Sequence, residues 1–365
     1  MCSASKVSGR ASRPSEFEVR AVQPATKRGD MSARIHIGGT HRSAIHGSGY
    51  ASAFLTRAGS MRAALLALAL SLAVAAPALA QDAAKPKPRT AKEIIDAAPA
   101  SAWRTLDPAN TLYMELPGGR VVIELAPGFA PQHVANIKAM ARGGFWDGLA
   151  IYRAQDNFVV QFGDADADDA ARARPMPAGT RDKLPAEFTR KDKVAFDRLP
   201  DVDGWAPQVG FVDGFPAARD PKAGLTWMTH CYGMLGAGRN NAPDSSVGAE
   251  LYVVIGQAPR ALDRQLSAVG RVVKGMELLS AIPRGPDPMG FYADAAQRTA
   301  ITSIRLASDV PEAQRTPLQL LRTDSQAFRD ATEARRNRVD DFYSIPAGHI
   351  DLCNVPVPVR APPAP

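Results

Sequence analysis

Between Thr111 and Leu125 the side chains alternate in character twice around one tight turn. Leu112, Met114 and Leu116 share one face of the first run; Val121, Ile123 and Leu125 share one face of the second; Pro117-Gly118-Gly119 joins them. Successive side chains of a strand point to opposite sides, so the pattern predicts a β-hairpin with one buried face. Further strands are predicted at Glu250–Ile255, within Arg264–Val273 and at Ala300–Leu306. Helices are few and isolated. Thr90 to Glu93 is a capping box ahead of Ile94-Ile95. Pro131 opens a second helix, with Val134, Ile137 and Met140 or Ala141 as its stripe and Gly143-Gly144 as its stop. Gly275–Ile282 is a third, closed by Pro283. Helices that do not alternate with strands disfavour a doubly wound parallel sheet. A mainly β fold, closed as an antiparallel barrel with no free edges, suits the order.

The chain has 365 residues and a net charge of +7, but the charge is not spread over it. Residues 1–80 hold ten Lys/Arg and three acids; residues 81–365 carry 34 of each sign. A body without net charge has no long-range field to gather phosphates, so no nucleic-acid partner is expected. The basic segment has its own reading. Met61-Arg62, the apolar run Ala63–Ala76 and the Ala78-Leu79-Ala80 site have the layout of a cleavable signal peptide at 61–80. Residues 1–60 are polar and aperiodic, and read as a non-native or disordered upstream extension. The expected location is the periplasm, with no stable membrane span once the signal is removed. Cys231 and Cys353 remain in the mature chain; in an oxidising compartment they are candidates for a disulfide, the alternative being two buried thiols.

The stretch Phe145–Asp164 places one arginine, Arg153, in an apolar segment, with Phe158 and Gln161 following. Strand alternation allows a guanidinium, an aromatic ring and an amide to meet in one groove. From the residues alone, Arg153 is better read as a surface salt-bridge partner, for instance of Glu250. Residues 165–224 are predicted as a long loop with short strands at Val194–Phe196 and Val209–Val212. Asp164, Asp166, Asp168 and Asp169 lack the glycine and glutamate of a calcium loop and are expected to form a solvated turn. His133 is expected at the surface. His230 and Cys231 are neighbours that would face opposite ways. No G-x-S-x-G or HExxH is present, and no metal or cofactor is expected. Beyond residue 309 a helix is predicted from Thr316-Pro317 to Arg338, then a Pro-rich tail from Ile345.

These residues together resemble the cyclophilin-type peptidyl-prolyl cis–trans isomerases over about residues 108–308. The carriers are Gly118-Gly119, Phe129-Ala130-Pro131, Gly144-Phe145-Trp146-Asp147-Gly148, the Arg153…Phe158…Gln161…Gly163-Asp164 block, Gly233-Met234-Leu235-Gly236-Ala237-Gly238, and Leu262-Asp263 leading to Gly270-Arg271-Val272-Val273-Lys274-Gly275-Met276-Glu277. The resemblance implies a closed eight-stranded barrel with capping helices, here with a helical C-terminal extension. It implies that Arg153 is the catalytic arginine and that Gln161 orients it. It implies substrate binding by Phe158, Val159, Leu235, Gly236, Glu250, Tyr252 and Leu262. Val159 replaces a usual methionine and Tyr252 a usual phenylalanine, whose added hydroxyl needs a partner. Gly236 stands for an asparagine, Glu250 for a glutamine, Ala261 for a tryptophan, Leu266 for a histidine and Tyr152 for a histidine. These departures leave substrate preference and rate open.

The organisation expected is therefore an upstream extension (1–60), a signal (61–80), a linker with a short helix (81–107), the barrel (108–308, with the 165–224 insertion) and the extension (309–365). The activity implied is rotation of X–Pro bonds in exported polypeptides. The alternative is a proline-binding chaperone or scaffold of the same fold with little turnover.

Overall fold

A computed structural model describes residues 88–363 except residue 192. The expected upstream extension and signal peptide lie outside the described residues. Helix α1 (Ala91–Asp96) carries the expected reciprocal Thr90–Glu93 cap. Strand β1 (Trp103–Thr105) follows, then the hairpin β2 (Thr111–Leu116) and β3 (Gly119–Leu125), paired Leu112 to Ile123 and Met114 to Val121. Helix α2 (Pro131–Arg142) begins at its proline and ends before Gly143, as its sequence requires. Strands β4 (Ala150–Ala154) and β5 (Val159–Gly163) come next.

The predicted long loop ends early. Residues 197–228 form a four-stranded antiparallel meander: β6 (Asp197–Arg198), β7 (Gln208–Val212), β8 (Phe215–Asp220) and β9 (Leu225–Met228). Its central hairpin turns at Asp213-Gly214, both with positive φ (52° and 84°), which is what a two-residue hairpin turn demands. The rest of the main sheet is β10 (Met234–Ala237), β11 (Leu251–Val254), β12 (Ser267–Lys274), β13 (Thr299–Ala300) and β14 (Ser303–Leu306), with α3 (Met276–Ser280) after β12.

The main sheet is curled and antiparallel, in the order β13-β4-β5-β11-β10-β12-β3-β2-β14. It has nine strands where eight were expected. Among the described residues no ladder joins β13 to β14. The two edges are instead bridged by the chain between them: Ile301 N–H donates to Leu149 O and Thr302 N–H to Glu115 O, each at 2.8 Å. Strands β13 and β14 follow one another with only Ile301 and Thr302 between them, too short a connection to fold one back on the other. The core inside the curl holds Leu112, Met114, Ile123, Ile137, Met140, Trp146, Ile151, Phe162 and Leu235. The hairpin buries both faces rather than one. Tyr113 and Val122 on its outer face are covered by Leu106, Ala307, Leu318 and Leu320.

That cover comes from the chain ends. Strand β15 (Gln319–Leu321) pairs with β1 on one side and β16 (Val359–Arg360) on the other. The C-terminal helix, α4 (Gln326–Arg336), starts at the Ser325 cap and not at Thr316-Pro317. Leu320 and Leu321 belong to the strand before it. Phe328 of α4 packs edge-on against Phe211 of β7, with ring centroids 5.1 Å apart. The segment 88–107, the meander and the extension thus share a second core, which includes Trp103, Phe211, Phe328, Leu352 and Cys231. The structure joins Cys231 to Cys353, with Cα atoms 5.0 Å apart.

His133 is buried, not at the surface. Its Nδ1 lies 2.7 Å from Glu187, whose carboxylate also accepts the Gln132 and His133 N–H groups at the start of α2. An anion at a helix N-terminus is favourable, and the same Glu187 carboxylate gives the buried ring a partner. Asp164 is buried too, its carboxylate accepting from the N–H groups of Asp166 and Arg174. Among the described residues no helix is long and apolar enough to cross a membrane.

Candidate active site

Two consecutive residues of β4, Tyr152 and Arg153, line the same groove, which regular alternation would forbid. The register between β4 and β5 explains it. The ladder shifts between Ile151 and Arg153, so the strand bulges at Tyr152 and both side chains turn outward. The same shift puts Arg153 directly opposite Gln161.

The Arg153 guanidinium is held at three points. Nε donates to Met289 O (2.7 Å), one terminal nitrogen to Gln161 Oε1 (2.9 Å), and the other to Gln155 Oε1. Gln155 is fixed in turn by donating to Pro288 O. Phe291 lies 4.9 Å and Phe158 5.8 Å from the guanidinium carbon, near enough for cation–π attraction. Five N–H groups less three acceptors leaves one hydrogen on each terminal nitrogen. Burial lowers the Arg153 pKa, while the Tyr152 oxygen acts the other way; the side chain remains a cation.

Gln161 links that arginine to an acid. Its Nε2 donates to the Tyr152 hydroxyl (2.6 Å), which donates to Glu250 (2.6 Å); the other Glu250 oxygen accepts Asp164 N–H (2.7 Å). Glu250 therefore makes no ion pair with Arg153. Burial, reinforced by Asp164 and Asp168, pushes the Glu250 pKa up to about 7, against the hydrogen bonds that favour its ionised form. Burial and then Glu250 raise the Tyr152 hydroxyl as well.

The raised carboxyl makes a stability prediction. Its folded pKa exceeds the ordinary carboxylate value, so the folded state holds the proton longer than the unfolded chain does. The contribution is fully present below about pH 4.5 and is lost as pH rises through about 7. Glu250→Gln removes this dependence. The denaturation free energy of Glu250→Gln relative to wild type is expected to rise by roughly 2 kcal/mol between pH 5 and pH 8. A difference that stays constant with pH would contradict this account of Glu250.

The groove, about 850 Å³ in volume, brings together Arg153, Phe158, Val159, Gln161, Glu250, Tyr252 and Leu262. Two of the expected substrate-binding residues are elsewhere. Leu235 is fully buried in the main core. Gly236 sits directly opposite Tyr252 in the β10–β11 register, and a Cβ added there would lie 2.2 Å from the Tyr252 hydroxyl oxygen. The glycine is the seat of the tyrosine ring, not a wall of the groove. The wall on that side is built by Gly238, Arg239 and Asn240.

Tyr252 also has the partner its hydroxyl requires. It lies 2.9 Å from His230 Nε2; His230 Nδ1 is 3.0 Å from Asp263, which accepts from Arg260 Nε at 2.6 Å. This buried chain fixes the groove floor from below. It was not legible because His230 and Tyr252 are far apart in sequence, although an added hydroxyl at a pocket position was a signal to look for one. Phe291, stacked on Tyr152 at 6.0 Å, was missed because it lies in an irregular loop without periodicity. Among the described residues no group of three or more His, Cys, Asp or Glu is placed to hold a metal ion.

Comparisons with known proteins give the family. Residues 111–305, more than half of the chain, match the family described as cyclophilin type peptidyl-prolyl cis-trans isomerase/CLD. A relative from Brucella suis biovar 1 (strain 1330), named "Probable peptidyl-prolyl cis-trans isomerase", is 29% identical over 187 residues, 50% of this chain and 75% of its own. One of the same name from Brucella abortus (strain 2308) is 28% identical over the same shares. The crystal structure of cyclophilin AquaCyp293 from Hirschia baltica superposes with a TM-score of 0.55 at 25% identity, covering 71% of this chain and 92% of that one. With the family match spanning the curled sheet and its groove, the chain belongs to the cyclophilin-type peptidyl-prolyl cis–trans isomerases.

Proposed function

We propose that this chain rotates X–Pro bonds in exported polypeptides, with Arg153 stabilising the twisted imide. The observation that carries this is the wiring of Arg153: three donors are spent on fixing it and two remain for a ligand in an aromatic-lined groove. Rotation about the bond faces a barrier of ~18–20 kcal/mol from amide resonance. It takes tens to hundreds of seconds unaided. A cationic donor near the prolyl nitrogen favours its pyramidal form, in which conjugation is lost. Donors fixed in advance favour that state without reorganising. Phe158, Val159, Tyr252 and Leu262 hold the ring while the carbonyl side turns. Gln161 holds the arginine.

Export is supported by the signal-like segment Met61–Ala80 and by the Cys231–Cys353 bond, since such bonds persist in oxidising compartments such as the periplasm. The clients on this reading are proline-containing polypeptides that have crossed the membrane unfolded. The test is a protease-coupled cis–trans assay of the full chain on an Ala-Pro-Phe peptide. Acceleration over the buffer rate is expected; a rate equal to that of buffer would sink the proposal.

A further inference from the structure

Among the described residues, one cation of the groove has no acceptor for its guanidinium. Arg298 follows the short turn Ala295–Gln297 and precedes β13, where Thr299 pairs with Ile151. Arg298 thus leaves the ladder at the end of β13, where the edge of β4 passes to Tyr292 and Phe291 beside Tyr152 and Arg153. Arg298 lines the groove. Its Nε is buried and donates to no acceptor. Among the described residues its guanidinium has no hydrogen bond or ion pair. A buried N–H left unpaired is costly, and of the six such side-chain atoms among the described residues Arg298 Nε is the one that belongs to a groove-lining residue.

The groove's own carboxylates do not supply it. Glu250 is occupied by Tyr152 and Asp164 N–H, and Asp164 by the N–H groups of Asp166 and Arg174. Asp168 is exposed and does not pair with Arg298. A second groove arginine, Arg174, also lacks a carboxylate: it spends one terminal nitrogen on the carbonyls of Phe145 and Asp147. A guanidinium fork matches a carboxylate better than any other common side chain of a peptide.

We infer that Arg298 is a specificity-determining residue, the anchor of a carboxylate subsite that selects X–Pro peptides bearing an Asp or Glu side chain close to the proline. The inference rests on the groove being the isomerase site. The main chain of the peptide lies over Arg153, and its acidic side chain reaches Arg298.

The experiment compares end-blocked X–Pro peptides carrying Glu or Gln at each of the two positions on either side of the proline, by exchange NMR with the full chain. At one position kcat/KM is expected to favour Glu about tenfold. The ratio falls to about one in Arg298→Met, and Arg298→Glu turns the preference toward Lys at that position. Because Glu and Gln are compared within each variant, general damage cancels. A wild-type ratio of one at every position, or a ratio that survives in Arg298→Met, overturns the inference. So does enhancement only by a Gln peptide with a free C-terminus, which would assign the subsite to a chain end. If neither peptide turns over above the buffer rate, the isomerase reading fails instead. The Glu/Gln ratio of Kd, from chemical-shift titration of the same peptides, then decides the subsite by the same criteria.

Discussion

Arg153→Ala is expected to lower kcat/KM for the Ala-Pro-Phe peptide at least tenfold, equivalent to about 1.4 kcal/mol of transition-state stabilisation. The groove lining remains in this variant, with Phe158, Val159, Tyr252 and Leu262 in place, so on the proposed mechanism the loss falls mainly on kcat. Interactions made only in the twisted state appear there, whereas uniform binding appears in KM. The substitution also leaves Gln161 Oε1, Gln155 Oε1 and Met289 O without their donor. The Met289 loop is therefore free to shift, and denaturation of the variant must be measured alongside its rate. Arg153→Lys is expected to recover only part of the activity, because an ammonium can keep the charge but cannot bond three fixed acceptors and still offer two donors. A rate for Arg153→Ala within twofold of wild type would remove Arg153 from the mechanism.

How much of this was legible in the sequence depended on whether an element carried a local mark, an alternating apolar face or residues that bound its ends. The β2–β3 hairpin was read correctly because its inward face is uniformly apolar, even though its outer face is covered too. Helix α2 was bounded by Pro131 and Gly143, residues whose backbone restrictions act locally. The meander at 197–228 was mostly lost. Val209, Phe211, Val212, Ala217 and Ala218 are all buried, so β7 and β8 show no alternation. Asp213-Gly214 was the one local mark of their hairpin. Leu320 and Leu321 fitted a helical stripe by spacing, but pairing with β1 holds them in a strand, a preference no local sequence encodes. In the groove, the Phe145–Asp164 half was accessible from order and spacing. The facing half was not, because the Tyr252 ring, its Gly236 seat and its His230 partner form a unit only across three segments.

The second large effect expected is on stability. Replacing both Cys231 and Cys353 by alanine removes a cross-link between residues 122 apart. For a loop of that size the chain-entropy argument assigns roughly 4–5 kcal/mol. The native contacts argue in the same direction. Ile350, Leu352 and Val355 are buried beside Cys353 in the second core, and the tail beyond them supplies β16 to the β1–β15 sheet. Without the covalent tie the tail is held only by this burial and by the β15–β16 pairing. The double variant is expected to unfold at a clearly lower guanidinium midpoint. Reductant should move the wild type towards that midpoint and leave the variant unmoved, which separates loss of the bond from loss of the sulfur atoms' packing. The consequence reaches the groove through the backbone: Cys231 follows His230, whose ring fixes Tyr252. Reduced wild type and the double variant should both lose affinity for the proline peptide before they unfold globally, read as a rise in KM at denaturant concentrations where the far-UV signal is still native. Identical midpoints for the oxidised wild type and the double variant would show that the tail is held by its apolar contacts and that the bond adds nothing to them.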